Sequence, residues 1–70
     1  MRPVAAVIIV AGMVVYTVTF RRPVGGARYV IRVAADDALD AQARAEARLL
    51  VSLRGDAEAL AEWEWESTEV

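Results

Sequence analysis

Seventy residues with 57% apolar content and a net charge of −2 describe one small domain, and the chain has no Cys, His or Lys. That excludes disulfides, thiolate or imidazole metal sites, and nucleophilic chemistry built on any of the three. A domain of this size buries only about 60% of its unfolded surface, and its apolar fraction exceeds the roughly 45–50% of typical soluble domains, so self-association is the default expectation.

The charge is unevenly placed. Residues 1–35 hold five arginines and no acid, +5; residues 36–70 hold three arginines and all ten acids, −7. Such a split marks a basic half available to an anionic partner, or two halves that neutralise one another on folding. In a chain this short the second reading is preferred, because its halves must touch.

Pro3 to Phe20 is uncharged and bracketed by Arg2 and Arg21/Arg22. As one helix it would span about 27 Å, close to a bilayer core, and the arginines after it would place the C-terminal part in the cytoplasm. A cleaved signal peptide is disfavoured, since no A-x-A-like site follows. The competing reading is a β-hairpin. Tyr16, Val18 and Phe20 alternate with Thr17, Thr19 and Arg21; after "PVGG", Tyr29, Ile31 and Val33 alternate with Arg28, Val30 and Arg32. β-branched and aromatic residues dominate both arms, and Pro23, Gly25 and Gly26 suit a reversal. The hairpin accounts for the second arm as well as the first, and it is the reading adopted. It leaves residues 1–12 as a separate apolar segment, an extra strand or a short helix, before a single small domain over 13–70.

"AADDALDAQARAEARLLVSLRG" predicts a helix from about Asp37 to Arg54. Asp36 or Asp37 caps it, Asp40 suits the positive end of the dipole, and Gly55 stops it. Leu39, Ala43, Ala47, Leu50 and Leu53 recur at helical spacing and define the expected buried stripe, with Asp40, Arg44 and Arg48 opposite. Asp56 caps a short turn through Leu60. The closing "EWEWESTEV" alternates again, Trp63 and Trp65 against Glu62, Glu64 and Glu66, and predicts a third strand. The result is an α+β fold, a β-β-α-β unit with one helix on one face of an antiparallel sheet of order 2-1-3. In that order the glutamates share the solvent face with Arg28 and Arg32, and the small Thr17 and Thr19 let arginines reach across.

Each motif has a plainer explanation beside its functional one. "DDALD" matches a Mg²⁺-diphosphate pattern, but the enzymes that use it need a large helical cavity and a second acidic cluster; helix capping accounts for the same residues. "RGD" at Arg54–Asp56 falls where one helix stops and the next turn starts. Arg21, Arg22, Arg28 and Arg32, with Tyr29 among them, are the candidate anion-contacting residues for a phosphate backbone, opposed by an acidic pI near 4.9. Trp63, Trp65, Tyr16 and Tyr29 are the candidate interface residues, because aromatic surface beyond what one Ala/Leu helix can cover is typical of binding hot spots. No pairing resembles an activated nucleophile or an acid–base couple, so no catalytic residue, metal or cofactor is assigned.

The expectation is a non-catalytic interaction or structural module, protein-binding and homo-oligomeric or docked on a larger assembly, with the cytoplasm favoured. The alternative is a single-pass membrane protein with its helix over residues 3–20. A weaker one is a nucleic-acid accessory protein using the arginine hairpin.

Overall fold

The computed structural model describes residues 13–70. The readings that fall on residues 1–12, the extra strand or short helix, lie outside the described residues. Five elements follow in order: β1 (Val14–Arg21), β2 (Arg28–Ala35), α1 (Ala38–Ser52), α2 (Ala57–Leu60) and β3 (Glu64–Glu69). The sheet is antiparallel with order β2-β1-β3, and α1 packs on one face. This is the expected β-β-α-β unit, with the most apolar strand central.

The hairpin turn follows from its residues. The Arg22 N–H donates to the Ala27 carbonyl at 2.8 Å and the Gly26 N–H to the Arg22 carbonyl at 3.0 Å. Between them Gly25 and Gly26 take φ of 92° and 73°, a region where any Cβ is strained. Pairing then runs without interruption from Arg21↔Arg28 to Val14↔Ala35. Val14–Arg21 is therefore strand, paired with β2 along its length and with β3 over Thr17–Arg21, so Val14–Phe20 is not the tail of a helix. Among the described residues no helix is long and apolar enough to cross a membrane.

Asp37 caps α1, its side chain accepting from the Asp40 N–H at 2.8 Å. The helix runs to Ser52, and Arg54 and Gly55, at φ of 60° and 77°, turn the chain out of it. Asp56 then caps α2, its carboxylate accepting from Glu58 at 3.0 Å and Ala59 at 3.1 Å. Each residue of the "RGD" tripeptide thus has a local task.

The buried face of α1 differs from the expected stripe. Ala41, Ala45 and Leu49 are the buried helix residues, whereas Ala43 and Ala47 are exposed and Leu39 is 79% exposed. An offset of two residues is about 200° around a helix, so Leu39, Ala43 and Ala47 lie almost opposite the real stripe. The cause is the composition of α1, where Ala occurs on every side and two small-residue stripes compete. The stripe that wins puts Leu49 against the sheet and leaves Ala41 and Ala45, the smallest side chains available, at the closest approach. Leu50 and Leu53 are half-buried at its flank. The core these elements enclose is Val18, Phe20, Val33, Ala35, Ala41, Ala45 and Leu49.

Candidate functional site

Strand alternation sorts the hairpin into two faces. Val18 and Phe20 from β1, with Val33 and Ala35 from β2, point to α1 and are buried. Val15, Thr17, Thr19 and Arg21, with Arg28, Val30, Arg32 and Ala34, point the other way, where no element of the described residues covers them.

β3 joins this open face through an irregularity. Its pairing with β1 runs Arg21↔Glu64 and Phe20↔Trp65, then shifts, so that Thr19 faces Ser67, Val18 faces Thr68 and Thr17 faces Glu69. Glu66 is the extra residue of a β-bulge. Without it, strict alternation from Glu64 and Glu66 would put Thr68 outward and Glu69 under the helix. With it, Glu64, Glu66, Ser67 and Glu69 all belong to the open face, and Thr68 is tucked beside Val18.

The open face therefore has three columns. The β2 column is cationic (Arg28, Arg32), the β1 column is small and neutral over Val15, Thr17 and Thr19 before Arg21, and the β3 column is anionic (Glu64, Glu66, Glu69). Arg21 and Arg28 stand directly opposite each other, a like-charge pair that would destabilise the hairpin alone. β3 relieves it. The Arg28 Nε–H donates to Glu66 at 3.1 Å across the sheet, and Arg21 lies 3.9 Å from Glu64. These pairs are largely exposed, so each is worth about 0.2–1 kcal/mol and acts mainly on register. At the other end, Arg32, Thr17 and Glu69 share one row, but neither Arg32 nor Glu69 has an ion pair among the described residues.

Of the four candidate anion-contacting arginines, then, Arg21, Arg28 and Arg32 share the open face and Arg22 does not. Arg22 belongs to the turn: its Nε–H donates to the Val24 carbonyl at 3.1 Å, its Nη1 lies 3.9 Å from Glu62, and its guanidinium carbon sits 6.0 Å from the Trp63 ring centroid. The four candidate interface aromatics lie around the core. Tyr16, Tyr29 and Trp63 are half-buried against it, and the Tyr29 hydroxyl meets Ser52 Oγ at 3.3 Å. Trp65 faces the helix side on an edge strand and is 48% exposed, its indole N–H donating to Thr68 Oγ1 at 2.8 Å. It stays uncovered because α1 leans on β2 more than on β3.

The acidic "DDALD" segment is occupied by capping. The Asp36 N–H donates to Asp40 at 3.1 Å, and the Arg44 Nε–H donates to the same carboxylate oxygen at 2.8 Å. The backbone N–H of Asp36 foremost, then Arg44, hold the Asp40 carboxyl below its ordinary value of 3.8. Among the described residues no group of three Asp or Glu is arranged to hold a metal. A shallow groove along the outer edge of β2 is lined by Met13, Arg32, Arg44, Ala47, Arg48 and Val51, and among the described residues it is open to solvent.

The sequence reading missed the bulge and hence the placement of Glu69 on the open face. The available signal was the end of alternation at "ESTE", where polar residues run together after "EWEW". Comparison of the chain with family models, curated proteins and solved structures gives no match.

Proposed function

We propose that this chain is a small non-catalytic interaction module that self-associates or docks on a larger assembly, and that it does so through the open face of its sheet. The observation that carries the reading is the exposure of apolar side chains at Val30 (58%) and Val15 (47%) amid ordered charge, on a face with no covering layer among the described residues. Sheets become stable by burying a face against another element, and among the described residues the one helix of length, α1, lies on the other side.

The nucleic-acid reading loses support on the same face. Arg21 and Arg28 already have glutamate partners, and the β3 column sets anionic charge within one sheet width of every arginine there.

The test is photo-cross-linking in cells that express the full chain, with a photo-reactive phenylalanine analogue in place of Val30 or, as the control, of exposed Ala43 on α1. Protein cross-links from position 30 and few from position 43 support the reading. Cross-links to nucleic acid or lipid, or none from position 30, overturn it.

A further inference from the structure

We infer that the open face is self-complementary, and that its occupant is a second copy of this chain related by a two-fold axis lying along β1. The inference rests on the reading of the chain as an interaction module and names what the face docks on.

The open face is balanced in charge. It carries three arginines (Arg21, Arg28, Arg32) and three glutamates (Glu64, Glu66, Glu69), so it is neutral although the whole chain is not. Two copies can approach on this side without net repulsion.

The layout of the columns then selects the symmetry. Closed dimers of identical chains use a two-fold axis, and a face-to-face arrangement needs that axis in the plane between the sheets. An axis across the strands would stack β2 on β2 and β3 on β3, arginine on arginine and glutamate on glutamate. An axis along the strands stacks β2 of each copy on β3 of the other, and β1 on β1. Only the second brings opposite charges together, and like-charge stacking costs several kcal/mol.

Rotation about β1 also preserves height along the strands, so the register makes the contacts specific. Arg32, Thr17 and Glu69 occupy one row; across the interface Arg32 therefore meets Glu69 of the second copy, and Glu69 meets Arg32. These are the two charges of the face that have no ion pair among the described residues. In the Arg28–Arg21–Glu64 row, the two Arg21 residues meet near the axis, flanked by both copies of Glu64 and Glu66, four arginines against four glutamates. Thr17 and Thr19 meet their own counterparts along the axis. They are small enough for sheets stacked about 10 Å apart, with strands aligned to within about 30°. Val15 and Val30 lose their exposure, and the charged columns form a polar rim around a small neutral centre.

Sedimentation velocity on the full chain, at concentrations from about one to several hundred micromolar, tests the arrangement. The wild type is expected to dimerise. Arg32→Glu and Glu69→Arg each set two like-charged pairs across the axis and should weaken association about tenfold or more. Mixing the two variants should restore it, because in the mixed dimer both contacts again join opposite charges. Circular dichroism of each variant confirms folding. Unchanged association in both single variants, or no gain on mixing, overturns the arrangement while leaving self-association in place. A monomeric wild type that still cross-links other proteins from position 30 overturns the second copy and leaves the module reading standing. A monomer without those cross-links overturns both.

Discussion

The two faces of the sheet are made by the same strands and separated by one step of alternation, yet they are held by different forces. Toward α1, Val18, Phe20, Val33 and Ala35 meet Ala41, Ala45 and Leu49, with no buried polar group among the described residues. Away from it, Thr17, Thr19 and Val30 are crossed by Arg28–Glu66 and Arg21–Glu64. The covered face supplies stability by area removed from water, and any loss there is felt in full. The open face contributes mainly to order: its ion pairs cost little to remove, but they favour one strand neighbour and register over the alternatives. In a domain this small, the two tasks are divided between the faces.

The largest effect that can break this contrast comes from Leu49, 1% exposed. Leu49→Ala should destabilise by about 2–5 kcal/mol, enough to lower the melting temperature by about 10 °C or more or to unfold the chain at 37 °C. Leu39→Ala, on the same helix but 79% exposed, should change stability by less than about 0.5 kcal/mol. Thermal denaturation followed by circular dichroism separates the two. A larger loss at Leu39 than at Leu49 would mean that the helix packs through the other stripe.

A smaller effect tests the open face. Arg28→Glu sets a second carboxylate beside Glu66 and should cost about 1 kcal/mol or less; Glu66→Arg added to it should return most of the loss. Chemical denaturation of the four members of this cycle measures the coupling. Zero coupling energy would remove the cross-sheet pair from any role in register. Low salt should enlarge the coupling and high salt should shrink it.

The smallest concerns the α1 entrance. The Asp40 carboxyl is held below its ordinary value, so its contribution to stability is present above that value and fades as the pH falls through the lowered folded one. Asp40→Asn should therefore lower the melting temperature slightly at neutral pH, and the difference should vanish in strong acid. A difference that persists unchanged at about pH 2 would assign the effect to packing.

Most of the architecture could be read from the sequence, and the reasons are local. Alternation over 14–21 and 28–33, the Pro/Gly turn between them, Asp37 before a periodic run and Gly55 after it each force one element. The strand order followed from keeping the most apolar strand in the middle. The helix phase was not legible, because Ala at positions 38, 41, 43, 45 and 47 surrounds α1 and volume, not hydrophobicity, decides which alanines face a sheet. The open-face residues Arg28 and Glu66 could be anticipated as neighbours, since both lie on polar positions of strands flanking β1. The placement of Glu69 could not, since it depends on a bulge whose only trace is the polar run "ESTE". Arg22, grouped by sequence with the other arginines, leaves them because the turn captures its guanidinium.

The strand order has a consequence for the way the chain reaches its structure. β1 is central, yet its second edge is closed only by β3, and 43 positions separate Arg21 from its partner Glu64. As the polypeptide emerges from the ribosome, the hairpin and α1 can assemble while the Val/Thr-rich edge of β1 still offers unpaired N–H and C=O groups. Until β3 arrives, that edge is a template for any extended strand nearby, a neighbouring nascent chain included. The docking of β3 is thus a long loop closure, which chain entropy makes slower than the local hairpin and helix steps. The glutamates of β3, drawn to the arginines already displayed on the hairpin, favour the native strand over a foreign one at that moment.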